Sequence, residues 1–103
     1  MKPGKVVHPS NGIGTAPDGS TTPAGVEISF DRGANLNRQT TAQVKVTNSE
    51  AAGGNLLEIS FNNGRGWFQI ATDTTMEFDV LCHRCRLRGN GGTAAYSIIG
   101  IVY

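Results

Sequence analysis

From Val26 onward this chain alternates apolar and polar residues with a period of two, in short runs, and that pattern excludes most folds. Successive side chains of an extended strand point to opposite faces, so each run reads as a strand with one face buried. Val26, Ile28 and Phe30 alternate with Glu27 and Ser29, Val44 and Val46 flank Lys45, and Leu57, Ile59 and Phe61 alternate with Glu58 and Ser60. Phe68 and Ile70 flank Gln69, and Met76, Phe78 and Val80 alternate with Glu77 and Asp79. Cys85 and Leu87 alternate with Arg84, Arg86 and Arg88 before a last strand over residues 94–103, which makes seven.

The breaks between runs have turn chemistry: Asp31-Arg32-Gly33, residues 48–55 with Gly53-Gly54, Asn62-Asn63-Gly64, and Gly89-Asn90-Gly91-Gly92. Helical periodicity is weak throughout; residues 34–43 have room for one turn. Many short strands joined by such turns predict an all-β, antiparallel β-sandwich over residues 26–103, with a jelly roll as one version of it. At 103 residues the chain holds one core.

Residues 1–25 differ from the rest. They hold all four prolines (Pro3, Pro9, Pro17, Pro23) and five glycines, with few large apolar side chains. Each proline removes a backbone donor, and so little burial cannot offset the entropy of ordering. The segment reads as an extended N-terminal arm, either a loose tail or a strap that orders along a neighbour.

Nine Lys and Arg against eight Asp and Glu leave a net charge of +1, so no global field draws the chain to nucleic acid or to an acidic membrane. No stretch approaches the roughly 20 apolar residues that cross a bilayer, and no apolar segment follows Met1-Lys2-Pro3-Gly4-Lys5 as a secretory signal requires. The expectation is a soluble chain made in a cytoplasm, with Cys82 and Cys85 as free thiols.

Leu81-Cys82-His83-Arg84-Cys85 gathers the chain's potential metal ligands, with His8 far away in the arm. A structural zinc site needs four ligands in a tetrahedron, and strand positions three apart lie on opposite faces roughly 10 Å from each other. The same spacing forbids a disulfide unless the chain bends. Apolar parity does shift between Val80 and Cys85, which demands a bulge or a tight connection there. The pair reads as small buried hydrophobes, with no metal and no cofactor expected. Nor is there material for catalysis. The two histidines stand apart, no Gly-rich loop links a strand to a helix, and His83 and Cys85 are strand positions about 7 Å apart.

Interaction is better served. Arg84, Arg86 and Arg88 form a stripe about 13 Å long on one strand face. Either cross-strand carboxylates such as Glu77, Asp79 or Glu58 neutralise it, or its guanidinium groups dock on an acidic protein surface. In the last strand, Tyr96, Ile98, Gly100 and Val102 form one face and Ser97, Ile99, Ile101 and Tyr103 the other. Both are largely apolar, so one lines the core while the other needs cover from the arm or from a second subunit. The residues expected at interfaces are Lys2, Lys5, Arg84, Arg86, Arg88, Trp67, Ile99, Ile101 and Tyr103.

Ser60-Phe61-Asn62-Asn63-Gly64-Arg65-Gly66-Trp67 resembles the Asp-box hairpin of sialidases and many unrelated β proteins, with Asn62 in place of the Asp and Gly66 in place of the Thr. That motif stabilises a turn and marks no active site. Over its whole length, the plan of Pro/Gly-rich arm, Asn/Gly turns and closing residues 87–99 resembles the small β-sandwich virion proteins of tailed bacteriophages, of the head decoration or cement type. The resemblance implies a homo-oligomer, a trimer above all, that sits on the capsid surface and bridges capsomers, with the major capsid protein or another virion protein as partner. The alternative is a carbohydrate- or receptor-binding module of a phage tail or fibre that uses Trp67 with Asn62, Asn63 and Arg65.

Overall fold

Each alternating run becomes a strand, and the faces it predicts decide which side chains meet. The computed structural model describes residues 4–7, 18–20, 25–30 and 40–102. From Val26 on there are seven strands, and two short ones precede them. In chain order they are β1 (Lys5–Val7), β2 (Asp18–Ser20), β3 (Val26–Ser29), β4 (Gln43–Asn48), β5 (Leu56–Ser60), β6 (Phe68–Ile70), β7 (Thr74–Phe78), β8 (Arg84–Asn90) and β9 (Ala95–Val102). Residues 34–39 of the segment with room for a helical turn lie outside the described residues, as do all four prolines, Lys2, His8 and Tyr103, and residues 40–43 are not helical.

The strands form two antiparallel sheets. The first runs β1-β9-β4-β7, with β2 beside β1 on the same edge of β9, and the second runs β3-β8-β5-β6. If β1 and β2 are taken as one interrupted strand, the pairs are nested: first with last, β3 with β8, β4 with β7, β5 with β6. That is one long hairpin rolled up until β4 also meets β9 and β5 meets β8, the connectivity of a jelly roll. Within the arm, residues 5–7 and 18–20 therefore lie along the chain's own final strand. There they cap an edge that would otherwise expose a row of backbone donors and acceptors.

The core lies between the sheets. Val44, Val46, Tyr96 and Ile98 of the first sheet meet Ile28, Leu57, Ile59, Ile70, Cys85 and Leu87 of the second. The even face of the last strand is thus the inner one, and Ile99 and Ile101 face outward. Phe30 follows β3 and is completely buried.

The parity shift after Val80 is a crossover rather than a bulge: the chain leaves β7 in the first sheet and enters β8 in the second. A lone bridge between Thr41 and Cys82 holds the passage, and Cys82 and Cys85 both end up buried as free thiols. Burial pushes the Cys82 thiol up, partly offset by its contact with the Thr41 hydroxyl at 3.4 Å. Burial raises Cys85 further, with smaller contributions from Cys82 and Glu27. An unfolded thiol ionises near pH 8.5, whereas the folded Cys85 stays neutral well above that. The unfolded state then binds fewer protons, so stability is intact below about pH 8.5 and falls as pH climbs above it. By pH 10 this one thiol should account for a loss of about 2 kcal/mol, read as a lower urea midpoint that Cys85→Ala flattens.

Candidate functional site

The outer face of the second sheet carries the arginine stripe. Register places Glu27 of β3 opposite Arg86, and Glu58 and Ser60 of β5 opposite Arg88 and Arg86. Arg84 Nη1 reaches Glu27 Oε1 at 3.3 Å, and Arg86 Nη1 reaches the other oxygen at 4.0 Å. Arg88 Nε donates to Glu58 Oε1 at 2.9 Å, and Gln69 Nε2 donates to Glu58 Oε2 at 3.4 Å. Of the carboxylates suggested by the sequence, only Glu58 serves the stripe. Glu77 and Asp79 belong to the other sheet, where Glu77 pairs with Lys45 and Asp79 accepts from Gln43.

This face is not left bare. Residues 61–67, between β5 and β6, close over its β5 side. The Ser60 hydroxyl donates to Asn62 Oδ1 at 2.9 Å and accepts the Gly64 amide at 2.9 Å, while the Gly66 amide donates to Asn62 Oδ1 at 2.9 Å. Asn63 and Gly64 both have positive φ, 61° and 84°, which suits Asn and Gly and little else. The Asn at the Asp-box position thus does the organising work of the Asp. The loop turns Trp67 back so that its Nε1 donates to the Gly64 carbonyl at 3.1 Å, and the Arg88 guanidinium lies 3.9 Å from the ring centroid. In consequence Ser60 is fully buried and Glu58 is 7% exposed, although both occupy outward positions in β5.

The pairs are not equal in worth. Arg84 and Glu27 are each about half exposed, a class of pair worth 0–1 kcal/mol. The Glu58 carboxylate is nearly enclosed, and removal of its charged donor strands it. Arg88→Ala should therefore cost about 2 kcal/mol in denaturant unfolding, with lost stacking on Trp67 included, and Arg84→Ala less than about 1. Equal effects would contradict the account of a lidded Glu58.

Two depressions flank the loop. One, of about 310 Å³, is lined by Glu27, Phe61, Asn62, Asn63, Arg84 and Arg86 among others. The second, of about 320 Å³, is lined by Phe61, Asn62, Gly66, Trp67 and Phe68. Phe61, Phe68 and Phe78 pack as a triad with centroids 5.2–6.4 Å apart, at the side where β6 and β7 bring the sheets together.

Trp67 and the three arginines thus share one site, whereas Ile99 and Ile101 lie on the opposite outer face of the sandwich. Lys5 pairs through its backbone with Val102, and Lys2 and Tyr103 lie outside the described residues. Among the described residues no three His, Cys, Asp or Glu gather as a metal set. Sequence reasoning missed Glu27 and Phe68, one because its partner lies across a non-local strand pair, the other because an edge strand reads like an inner one.

No family model, curated protein or solved structure matches this chain. The fold places it among antiparallel jelly-roll β-sandwiches.

Proposed function

We propose that this chain is a structural protein of a tailed-phage virion, a capsid decoration protein that associates with copies of itself through the outer face of the β9 sheet and bridges capsomers. The observation that carries the self-association is the strip formed by Ile99, Ile101 and Val6. Val6 stands opposite Ile101 in register and is 49% exposed, and beside the strip the Lys45–Glu77 pair offers both charges to a neighbour. A face of this kind, apolar at its centre and charged at its rim, suits a subunit contact better than open water. The arginines are largely answered within their own sheet and the β9 face is taken up by self-association, so contact with the shell falls to the arm.

The test joins light scattering to particle stability. A defined oligomer is expected, with a trimer as the resemblance implies, and Ile101→Glu should return it to monomer with little change in unfolding midpoint. Shells that lack the protein should break at lower temperature and under milder osmotic shock. A monomer at high concentration, together with shells indifferent to the protein, overturns the proposal.

A further inference from the structure

We propose that Asn90 is a site of spontaneous deamidation, which the neighbouring Gly91 converts through a cyclic imide to isoaspartate, and that the fold spares the second exposed pair of the same kind, Asn63-Gly64. This goes beyond the decoration role and does not depend on it. The chain has three Asn-Gly pairs, at residues 11–12, 63–64 and 90–91, and the first lies outside the described residues.

The reaction needs no partner but water. The Gly91 backbone nitrogen attacks the Asn90 Cγ, a bond forms between them, the Cγ–Nδ2 bond breaks, and the amide proton departs with Nδ2 as ammonia. Water then opens the five-membered imide at either carbonyl, and gives aspartate or isoaspartate. Glycine favours the attack because no Cβ shields its nitrogen or restricts the rotation that brings it to Cγ.

Asn63 and Asn90 are both exposed, so access to water does not separate them. What separates them is the attacking nitrogen. The Gly64 amide donates to the Ser60 hydroxyl at 2.9 Å, and Ser60 is fully buried. Rotation about the Asn63 Cα–C bond toward the attack geometry breaks that bond, within a loop also held by Asn62 and by Trp67. Gly91 follows the last residue of β8, outside the ladder, and its amide makes no hydrogen bond to any described residue. The Asn90 side-chain amide makes none either. Only the second pair can therefore reach the attack geometry without a prior opening of the structure.

The product disturbs this turn. Isoaspartate routes the main chain through the former side-chain methylene and so lengthens it by one carbon. A Cβ at Gly89 would collide with the Gly92 carbonyl, and Asn55 Nδ2 donates to the Thr93 carbonyl at 2.8 Å, so the passage from β8 to β9 has no slack to absorb that carbon. Asn90 stands opposite Leu56, and the end of the β5–β8 pairing loosens with it.

The experiment ages the full chain in warm, mildly alkaline buffer and follows each site by mass spectrometry after cleavage at Lys and Arg. Asn90 then falls in residues 89–103, Asn63 in residues 46–65 and Asn11 in residues 6–32, so the three are read apart, with fragmentation to place Asn63 among its neighbours. Asn90 should react about fivefold or more faster than Asn63, the factor for one hydrogen bond that must open first. In urea the ratio should fall to about one, because an unfolded chain leaves only the shared Asn-Gly sequence. Ser60→Ala, in protein that retains a cooperative melting transition, should speed Asn63 and leave Asn90 unchanged. Asn63 as fast as Asn90 in the folded protein, a ratio that survives in urea, or an Asn63 rate untouched by Ser60→Ala overturns the inference. None of these outcomes bears on oligomer formation or shell stability.

Discussion

Phe30→Ala should cost about 3–5 kcal/mol, the range for a fully enclosed phenylalanine whose cavity the surroundings cannot fill. Phe30 follows the last residue of β3 and its amide donates to the His83 carbonyl at 2.9 Å, so its backbone is fixed before the ring is considered. The ring then crosses the sandwich and lies against Gly100 of β9. A Cβ built there would stand 3.1 Å from one ring carbon and 2.5 Å from the Thr41 methyl. Gly100 is therefore a space left for Phe30 and Thr41. Against a total stability of roughly 5–15 kcal/mol for a domain of this size, the lost ring should shift the urea midpoint by more than about 1 M. Gly100→Ala should itself cost about 1–3 kcal/mol by crowding. Combined with Thr41→Ser, it should cost less than the two singles together by at least about 0.5 kcal/mol, because loss of the Thr41 methyl removes the closest obstacle to the new methyl. A midpoint change below what 1 kcal/mol produces would show that the ring does not join the sheets as described.

Asn48→Leu should be nearly as damaging, at about 3 kcal/mol, although it trades a polar core residue for an apolar one of similar size. Asn48 ends β4 and is completely buried. Its Nδ2 donates to the Asn55 carbonyl at 3.1 Å and to the Ile70 carbonyl at 3.0 Å, and its Oδ1 accepts the Glu50 amide at 3.0 Å. The first two partners belong to the segments that begin β5 and end β6, so one side chain ties the first sheet to the second at this end. Leucine leaves those backbone groups without partners, and each orphaned group costs about 1–3 kcal/mol. Asn48→Asp should be worse at neutral pH, since it removes the donors and encloses a charge. A leucine variant as stable as the parent would mean that the carbonyls find other donors and that Asn48 does not hold the sheets together.

Much of the sandwich was legible because period-two alternation is a local property. The strands from Val26 to Val102 and the turn at Asn63-Gly64 follow from neighbours in sequence alone, whereas the two apolar faces of β9 left open which one is the inner. Asn48 shows where that reading ends. Its place in a run of turn-forming residues suggests a loop, yet it extends the inward series Val44, Val46, Asn48 of β4. Glu58 and Ser60 alternate as solvent-facing residues should, and are buried because residues 61–67 close over them. Glu27 becomes the partner of Arg84 and Arg86 only through the β3–β8 pairing, which no local pattern encodes. The parity change before Cys85 was visible, but a bulge and a change of sheet leave the same trace in a sequence. The two hollows depend on where one loop lies over another strand, which composition does not specify.

The nested pairing also has a kinetic consequence. Loop-closure entropy rises with the length of chain enclosed, so the β5–β6 hairpin with its short Asn-Gly turn is the cheapest contact to form. Every later pair encloses those before it, and the partnership of β1 and β2 with β9 spans nearly everything. Such an order makes for slow refolding dominated by distant contacts, with the last-formed seam also the first to open.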